Sequence, residues 1–429
     1  MKYVFFLIYN ILLTIAYLIA TPYFIYRLIS DLWTGDAREW RQRLGVFHSD
    51  ELPRPGAIWI HAASMGEVSA ALPLVHELRR QYPEYPLYFT TMTRSGQRRA
   101  RESAPQEVAV SFLPFDLFYS MQLLLKKVRP TALLLVETEL WFNLMRLAKN
   151  SGAALYMVNG RLSEKSFAQY RRIRWGIEPT LRRIDHVFAQ TEEYGRRFSD
   201  LGVPEERVTI SGNTKNDNLL RLIPPNPGHI RKNLGIGDEE FVIVVGSSRP
   251  GEEEMLIPAI QEAAAIRWII APRHLNRMKE VENLLDHFGL NRSRYTETPS
   301  RSQIILVDLM GQLTNLYAIA QVAFVGGTLT DFGGHNLFEP AVWSKPVIFG
   351  QFTGNCQEQA DALLSCGGGW QVTDQEGLRK LTSQLYRSFT KTDELKIAGK
   401  HARQAVERRA RVSQNIVDQI LLELQTIKI

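Results

Sequence analysis

The chain has 429 residues, 45% of them hydrophobic and 22% charged, and a net charge of +6. That profile excludes a disordered polymer, and the length exceeds one ordinary core, fitting two domains of roughly 150–200 residues each. The mild basic excess suits anionic partners such as phospholipid head groups or phosphorylated compounds; with no zinc-finger spacing, no RNA-binding aromatic signature and no dense Lys/Arg block, nucleic acid is not expected among them.

The first predicted element is a hydrophobic segment. Tyr3 to Tyr26 carries no formal charge, and as a helix it would reach about 36 Å against a hydrocarbon core of about 30 Å. Tyr3, Tyr23 and Tyr26 suit the interface, and Pro22 lies near the end, where a kink does little harm. Asn10 and Thr14 interrupt the run, so the expectation is a membrane anchor over 1–28 that either spans or lies in the interface. Lys2 precedes the run while Arg27, Arg38, Arg41 and Arg43 follow it, which keeps the remaining chain in the cytoplasm. Two cysteines, Cys356 and Cys366, match no metal spacing and point to a reducing compartment.

Beyond the anchor, short β-rich runs alternate with helical stretches. Strands are predicted at 57–61, 87–90, 108–113, 132–137, 154–158, 186–189 and 208–211, and again at 241–245, 268–271, 304–307, 322–325 and 347–349. This order reads as parallel, doubly wound α/β sheets. The Pro- and Gly-containing stretch Leu219–Asp238, with few candidates for burial, is the expected join. The expected domains are therefore 29–220 and 221–400, with a C-terminal helix at 401–429 available to pack back on the first domain. Two such domains facing one another place a cleft at the carboxyl ends of both sheets, where ligands of open α/β sheets bind.

No GxGxxG follows a strand, and neither a Walker A loop nor HExxH occurs. Polar clusters at strand ends remain. In HAASMGEVSAALPLV, from His61, Glu67 is either a general base or a first-turn acid favoured by the helix dipole. In VETELW, Glu137 and Glu139 can tune one another or hold a cation. Lys215 of SGNTKND can stabilise a departing phosphate, and Arg273 of APRH can fork phosphate oxygens. Phe324–Gly350 carries Gly326, Gly327, Gly333 and Gly334, a loop able to offer backbone N–H groups to a phosphate, with Glu339 placed to accept sugar hydroxyls.

These clusters, with TTMTRSGQ, ETELWFNL, NGRLSEKSF, AQTEEYGRRFSDLGV, GNTKND, DLMGQLTNLYAIAQVAFVGG and GGHNLFEPA, occur in an order that resembles the Kdo transferases of lipopolysaccharide synthesis over nearly the whole chain. The resemblance implies a GT-B glycosyltransferase fold, with two Rossmann-like domains facing a central cleft. It also implies inverting transfer of Kdo from CMP-Kdo to lipid IVA, with no metal and no cofactor. It makes Glu67 the general base and gives Glu137 and Lys215 to the transition state. Pro272, Arg273, Met310, Gly311, Gln312, Asn336, Leu337, Phe338 and Glu339 are implied to hold CMP-Kdo. Gln312 replaces the family's usual Glu, Asn216 a common Phe, Phe142 a common Pro and Gly160 a common Ala. The enzymatic rival is another membrane-associated GT-B sugar transferase, such as a UDP-sugar transferase, or a sugar-nucleotide epimerase, although a soluble epimerase would have no use for the anchor. A non-catalytic lipid-binding protein would have none for Glu67, Glu137, Lys215 and Arg273 together.

Overall fold

Among the described residues, fourteen strands form two parallel seven-stranded sheets, the inner strands apolar enough to be buried on both faces. The computed structural model describes residues 2–33, 38–222, 224–389 and 391–427, without the side chains of residues 2, 3, 32, 33 and 427; the expectations for Lys2 and Tyr3 therefore lie outside the described side chains. The first sheet is built from β1 (Ile58–His61), β2 (Leu87–Thr91), β3 (Ala109–Phe112), β4 (Ala132–Val136), β5 (Ala154–Gly160), β6 (His186–Ala189) and β7 (Val208–Ile210). The second has β8 (Phe241–Ser248), β9 (Ile266–Pro272), β10 (Arg292–Arg294), β11 (Ile304–Leu306), β12 (Val322–Val325), β13 (Val347–Phe349) and β14 (Gly369–Gln371). Their orders are β3-β2-β1-β4-β5-β6-β7 and β10-β11-β9-β8-β12-β13-β14. The first order turns between β1 and β4; the second turns between β8 and β12, with β11 inserted between β9 and β10. A crevice opens at the carboxyl ends of the strands on either side of such a point.

Alternation of side chains along each strand sorts the core into layers. In the first sheet Trp59, Leu133, Leu135, Leu155 and Met157 face one core, while Ile58, Ile60, Leu134, Tyr156 and Val158 face the other. Helices are started by side-chain caps at Ser64, Thr93, Ser163, Thr191 and Asn226, each worth about 0.5–2 kcal/mol.

The chain divides into two compact units, residues 1–217 with 411–429, and 218–410. The second crossing falls ten residues beyond the expected 400/401, because the helix Glu394–Arg408 buries Ala402, Ala405 and Val406 in the core of the second unit. The helix Val412–Ile427 buries Ile416, Val417, Ile420 and Leu421 in the core of the first. Its start is pinned by Asp217, whose carboxylate accepts from the backbone N–H of Val412 (3.2 Å) and Ser413 (2.7 Å).

Two readings are corrected. The Leu219–Asp238 stretch is not an unburied linker: it holds the helix Pro227–Leu234, and Leu234 and Ile236 are buried. The buried Arg231 on the same helix bonds to the carbonyls of Ile319, Gly237 and Glu240. The edge strands β10 and β14, Arg-Ser-Arg and Gly-Trp-Gln, escaped the pattern because three residues at a sheet edge carry no apolar run.

Candidate active site

In the first unit, β1 ends at His61, and after a short turn Ser64 caps the helix Met65–Gln81. Glu67 lies in the first turn of that helix, and its carboxylate folds back on the cap. One oxygen accepts from the Ala63 N–H at 2.7 Å and the other from Ser64 Oγ at 2.8 Å. Burial raises its pKa and the charge of Glu137 adds to that, outweighing the bonds that pull the other way. The dipole and base readings are thus not exclusive, since a capping carboxylate here is also half-buried and ready to take a proton.

Across the switch point, β4 ends and Glu137 adopts a left-handed backbone, φ 62°, a conformation costing a β-carbon-bearing residue about 1–3 kcal/mol. Its N–H bonds to Val158 O of the neighbouring β5 at 3.0 Å. Its carboxylate meets Lys215 Nζ at 2.9 Å and Asn159 Nδ2 at 3.5 Å. Asn159 is buried, also left-handed, and accepts from the Thr214 N–H at 3.0 Å. Thr214 in turn donates to Ala70 O at 2.8 Å, so the Lys215 loop is tied both to β5 and to the helix that carries Glu67. A half-exposed pair of this kind contributes only about 0–1 kcal/mol to stability.

Glu139 completes the acidic group. It accepts from Trp141 Nε1 at 2.7 Å and lies within hydrogen-bonding reach of Glu67. Burial, followed by the charge of Glu67, pushes its pKa up to about 7. The Trp141 ring stands edge-on to His61, 5.9 Å between centroids. His61 is fully buried against Thr90 Oγ1 at 3.0 Å, and burial drives its pKa down to about 3. His61 is therefore a neutral wall and not a second base. Sequence reasoning paired Glu139 with Glu137 without giving it a catalytic role, and it passed over Asn159; their only signal was a polar residue at the carboxyl end of a strand.

In the second unit a cavity of about 390 Å³ opens at the carboxyl ends of β8, β9 and β11. It collects Pro272, Arg273, Met310, Gly311, Asn336 and Glu339 of the residues expected there. Ser247 and His335 join them, with Tyr317 beneath. The floor is tight: a β-carbon on Gly246 would stand 1.8 Å from Tyr317 Oη. Arg249 donates to His335 Nε2 at 3.2 Å and reaches His274 Nε2 at 3.0 Å. Burial first, then Arg273 and Arg249, lowers the His335 pKa to about 4, so its ring is a neutral acceptor. Burial raises Glu339, and the nearby charge of Arg273 offsets part of that rise.

Three of the expected donor contacts are placed differently. Leu337 and Phe338 are fully buried core side chains, and their N–H groups already bond to Gln359 and Asn336. Gln312 accepts from Tyr295 Oη at 3.3 Å and does not line the cavity. In the glycine loop after β12, the amides of Gly326, Gly327 and Gly334 are taken up within the protein. The buried Glu252 accepts from Gly327 (2.7 Å), Thr328 (3.0 Å) and Leu329 (2.9 Å), and the Gly334 N–H bonds to Gly327 O. The glycines serve close approach: a β-carbon on Gly326 would lie 2.6 Å from Ser247 O. The cationic side chains at this edge are Arg249 and Arg273, which no glycine pattern signals.

The chain has relatives among known proteins. Residues 38–218 match the family model described as 3-deoxy-D-manno-octulosonic-acid transferase (Kdo transferase). The 3-deoxy-D-manno-octulosonic acid transferase of Haemophilus influenzae is 33% identical over 371 residues, 83% of this chain and 86% of the relative. That of Chlamydophila psittaci is 31% identical over 374 residues, 84% of each. The chain belongs to the Kdo transferase family. As a family member it is a glycosyltransferase acting on Kdo. A bifunctional glycosyltransferase/methyltransferase of Fusobacterium nucleatum is 33% identical over 79% of this chain, which spans 54% of that longer protein. Among solved structures, a glycosyltransferase from Rickettsia africae (TM-score 0.61, 12% identity, 87% of this chain and 98% of that one) and a UDP-N-acetylglucosamine 2-epimerase (TM-score 0.59, 20% identity, 87% and 97%) share the fold. This Kdo transferase is a GT-B α/β protein, and its helix Val4–Asp31 is long and apolar enough to cross a membrane.

Proposed function

We propose that the chain transfers Kdo from CMP-Kdo to lipid IVA with inversion at the anomeric carbon, at the cytoplasmic face of a bacterial inner membrane. The observation that carries the reading is the pairing of two carboxylates across the first switch point: Glu67 on its cap and Glu137 on Lys215 at 2.9 Å. An acceptor hydroxyl attacks the anomeric carbon and gives its proton to Glu67. The bond from that carbon to the phosphate oxygen breaks, and CMP leaves. Because CMP departs as a monophosphate, limited negative charge develops. Cationic side chains can meet it without a metal; Lys215 and Arg273 are the groups assigned to it. Glu137 holds Lys215 in place. The CMP moiety occupies the cavity of the second unit, with Arg273 on its phosphate and Asn336 and Glu339 on hydroxyls. Met310 and Gly311 form its rim, and Gln312, Leu337 and Phe338 support that wall from behind.

Incubation of the protein with CMP-Kdo and lipid IVA, followed by mass spectrometry of the lipid, tests the reading. A mass increase equal to one or more Kdo units, absent with Glu67→Gln, is expected. CMP release without a change in the lipid would assign a different acceptor, and no CMP release would remove the donor assignment.

A further inference from the structure

The helix Lys2–Trp33 touches its own domain along one stripe from end to end. The residues shielded between positions 4 and 31 recur every three or four along it, from Phe5, Tyr9 and Leu13 through Tyr17 to Phe24, Leu28 and Asp31. Phe5 packs edge-on to Phe142 and Trp175. Tyr9 donates to Asp116 at 2.8 Å, and Asn10 and Asn143 exchange amide bonds at 2.8 and 3.2 Å. Tyr17 and Phe24 pack on Phe115, and Asp31 accepts from Trp40 Nε1 at 2.8 Å and pairs with Arg94. Asn10, which looked like an interruption of a spanning run, is a docking residue.

The partners follow one line. Phe142 and Asn143 come after β4, Phe115 and Asp116 after β3, and Arg94 after β2. The helix therefore lies across the carboxyl edge of the first sheet. Passed through a bilayer, it would drag this edge into hydrocarbon, with buried Asp116 and the Arg94–Glu39 pair, against a steep penalty for desolvating charge. Laid flat, it puts only its free faces into lipid. Those faces are apolar, Leu7 being 62%, Leu18 66% and Ile19 75% exposed. Beside it Phe118, Tyr119, Ile173 and Trp175 are exposed as well. Basic side chains flank this surface: Arg146 sits over the Phe6 ring at 4.4 Å, and Arg171 and Arg172 are exposed next to Ile173. Such a fringe suits anionic head groups.

We propose that this helix is an in-plane docking element, sunk along its length in one leaflet of an anionic bilayer and carrying the carboxyl edge of the first sheet against the lipid surface. The inference rests on the membrane residence proposed above and not on the transfer reaction. Leu7, Leu18 and Ile25 share one helical face, eleven and seven residues apart. In the full chain with Cys356→Ala and Cys366→Ala, single cysteines at these three positions are labelled with a nitroxide. The protein is reconstituted into vesicles containing phosphatidylglycerol, and label depth is read from oxygen and nickel accessibility. Equal depths, within about 5 Å of one another, are expected. A spanning helix would instead place Leu18 near the centre with the other two shallower by about 10–16 Å, which overturns the proposal. Labels open to water at all three positions overturn it as well. Calorimetric CMP binding by each variant checks its fold, and transfer assays on the same vesicles report separately on the reaction.

Discussion

The two carboxyl edges belong to sheets of different strand order and carry different ionisable groups. The first gathers Glu67, Glu137 and Glu139 around one lysine; the second gathers Arg249, Arg273, His274 and His335 around one carboxylate, Glu339. On the first, burial raises the pKa of Glu67 and Glu139, which makes their ionised forms stronger bases. On the second, burial and neighbouring cations strip His335 of its proton and leave the fixed positive charge on arginine. The two edges thus differ in which kind of ionisable group they bury, carboxyls on the first and an imidazole among arginines on the second.

The sharpest way to break this contrast is at Glu67. Glu67→Gln keeps the cap geometry and removes the base, so transfer should fall by about 10²–10⁴ while CMP affinity stays unchanged. Near-normal turnover in a folded variant would move the proton acceptor elsewhere. Arg273→Ala tests the other edge: CMP binding by calorimetry should weaken by about 10–150-fold, the equivalent of one charge-assisted contact. An unchanged affinity would place Arg273 outside the donor site.

A third measurement sharpens the contrast through pH. Glu139 titrates at about 7 in the folded chain against 4.5 ordinarily. Between those values the folded protein keeps a proton that the unfolded chain has released. Stability from this group therefore falls as pH rises through that window and is fully lost above about 7. Glu139→Gln should accordingly gain on the parent protein between pH 4 and 8 by an amount on the order of 1–3 kcal/mol, read by denaturant unfolding at each pH. A constant difference would mean that Glu139 is ionised throughout. Smallest of all is the expected effect of EDTA: the proposed reaction relies on cationic side chains in place of a metal, so the transfer rate should not change. A loss restored by Mg²⁺ would show that arginine and lysine do not suffice.

Most of this was legible because strands that are buried on both faces announce themselves as apolar runs, and strand ends mark the chemistry. Glu67, Glu137 and Lys215 come together because β1, β4 and the loop after β7 end on one edge, which the strand order alone implies. What was not legible depends on partners distant in sequence. The glycines after β12 read as an anion loop, and nothing local reveals that Glu252, seventy-five residues earlier, already occupies the Gly327 amide. Asn10 read as a blemish in an apolar helix until Asn143 appeared opposite. Leu337 and Phe338 sit inside a motif, and motif membership does not distinguish a side chain that touches ligand from one that fills the core beneath.

The return of the helix Val412–Ile427 to the first unit sets the order of assembly on the ribosome. Its buried residues Ile416, Val417, Ile420 and Leu421 close a core whose other members begin at Ile58. Synthesis proceeds from the amino end at about 5–20 residues per second, so the first unit is closed only after the second, 218–410, has been made. The second unit, 218–410, is continuous in sequence and free of that delay. During translation the hydrophobic helix is therefore attached to an incomplete domain, and early delivery to the lipid surface would shield its exposed face from aggregation while the remainder of the chain is made.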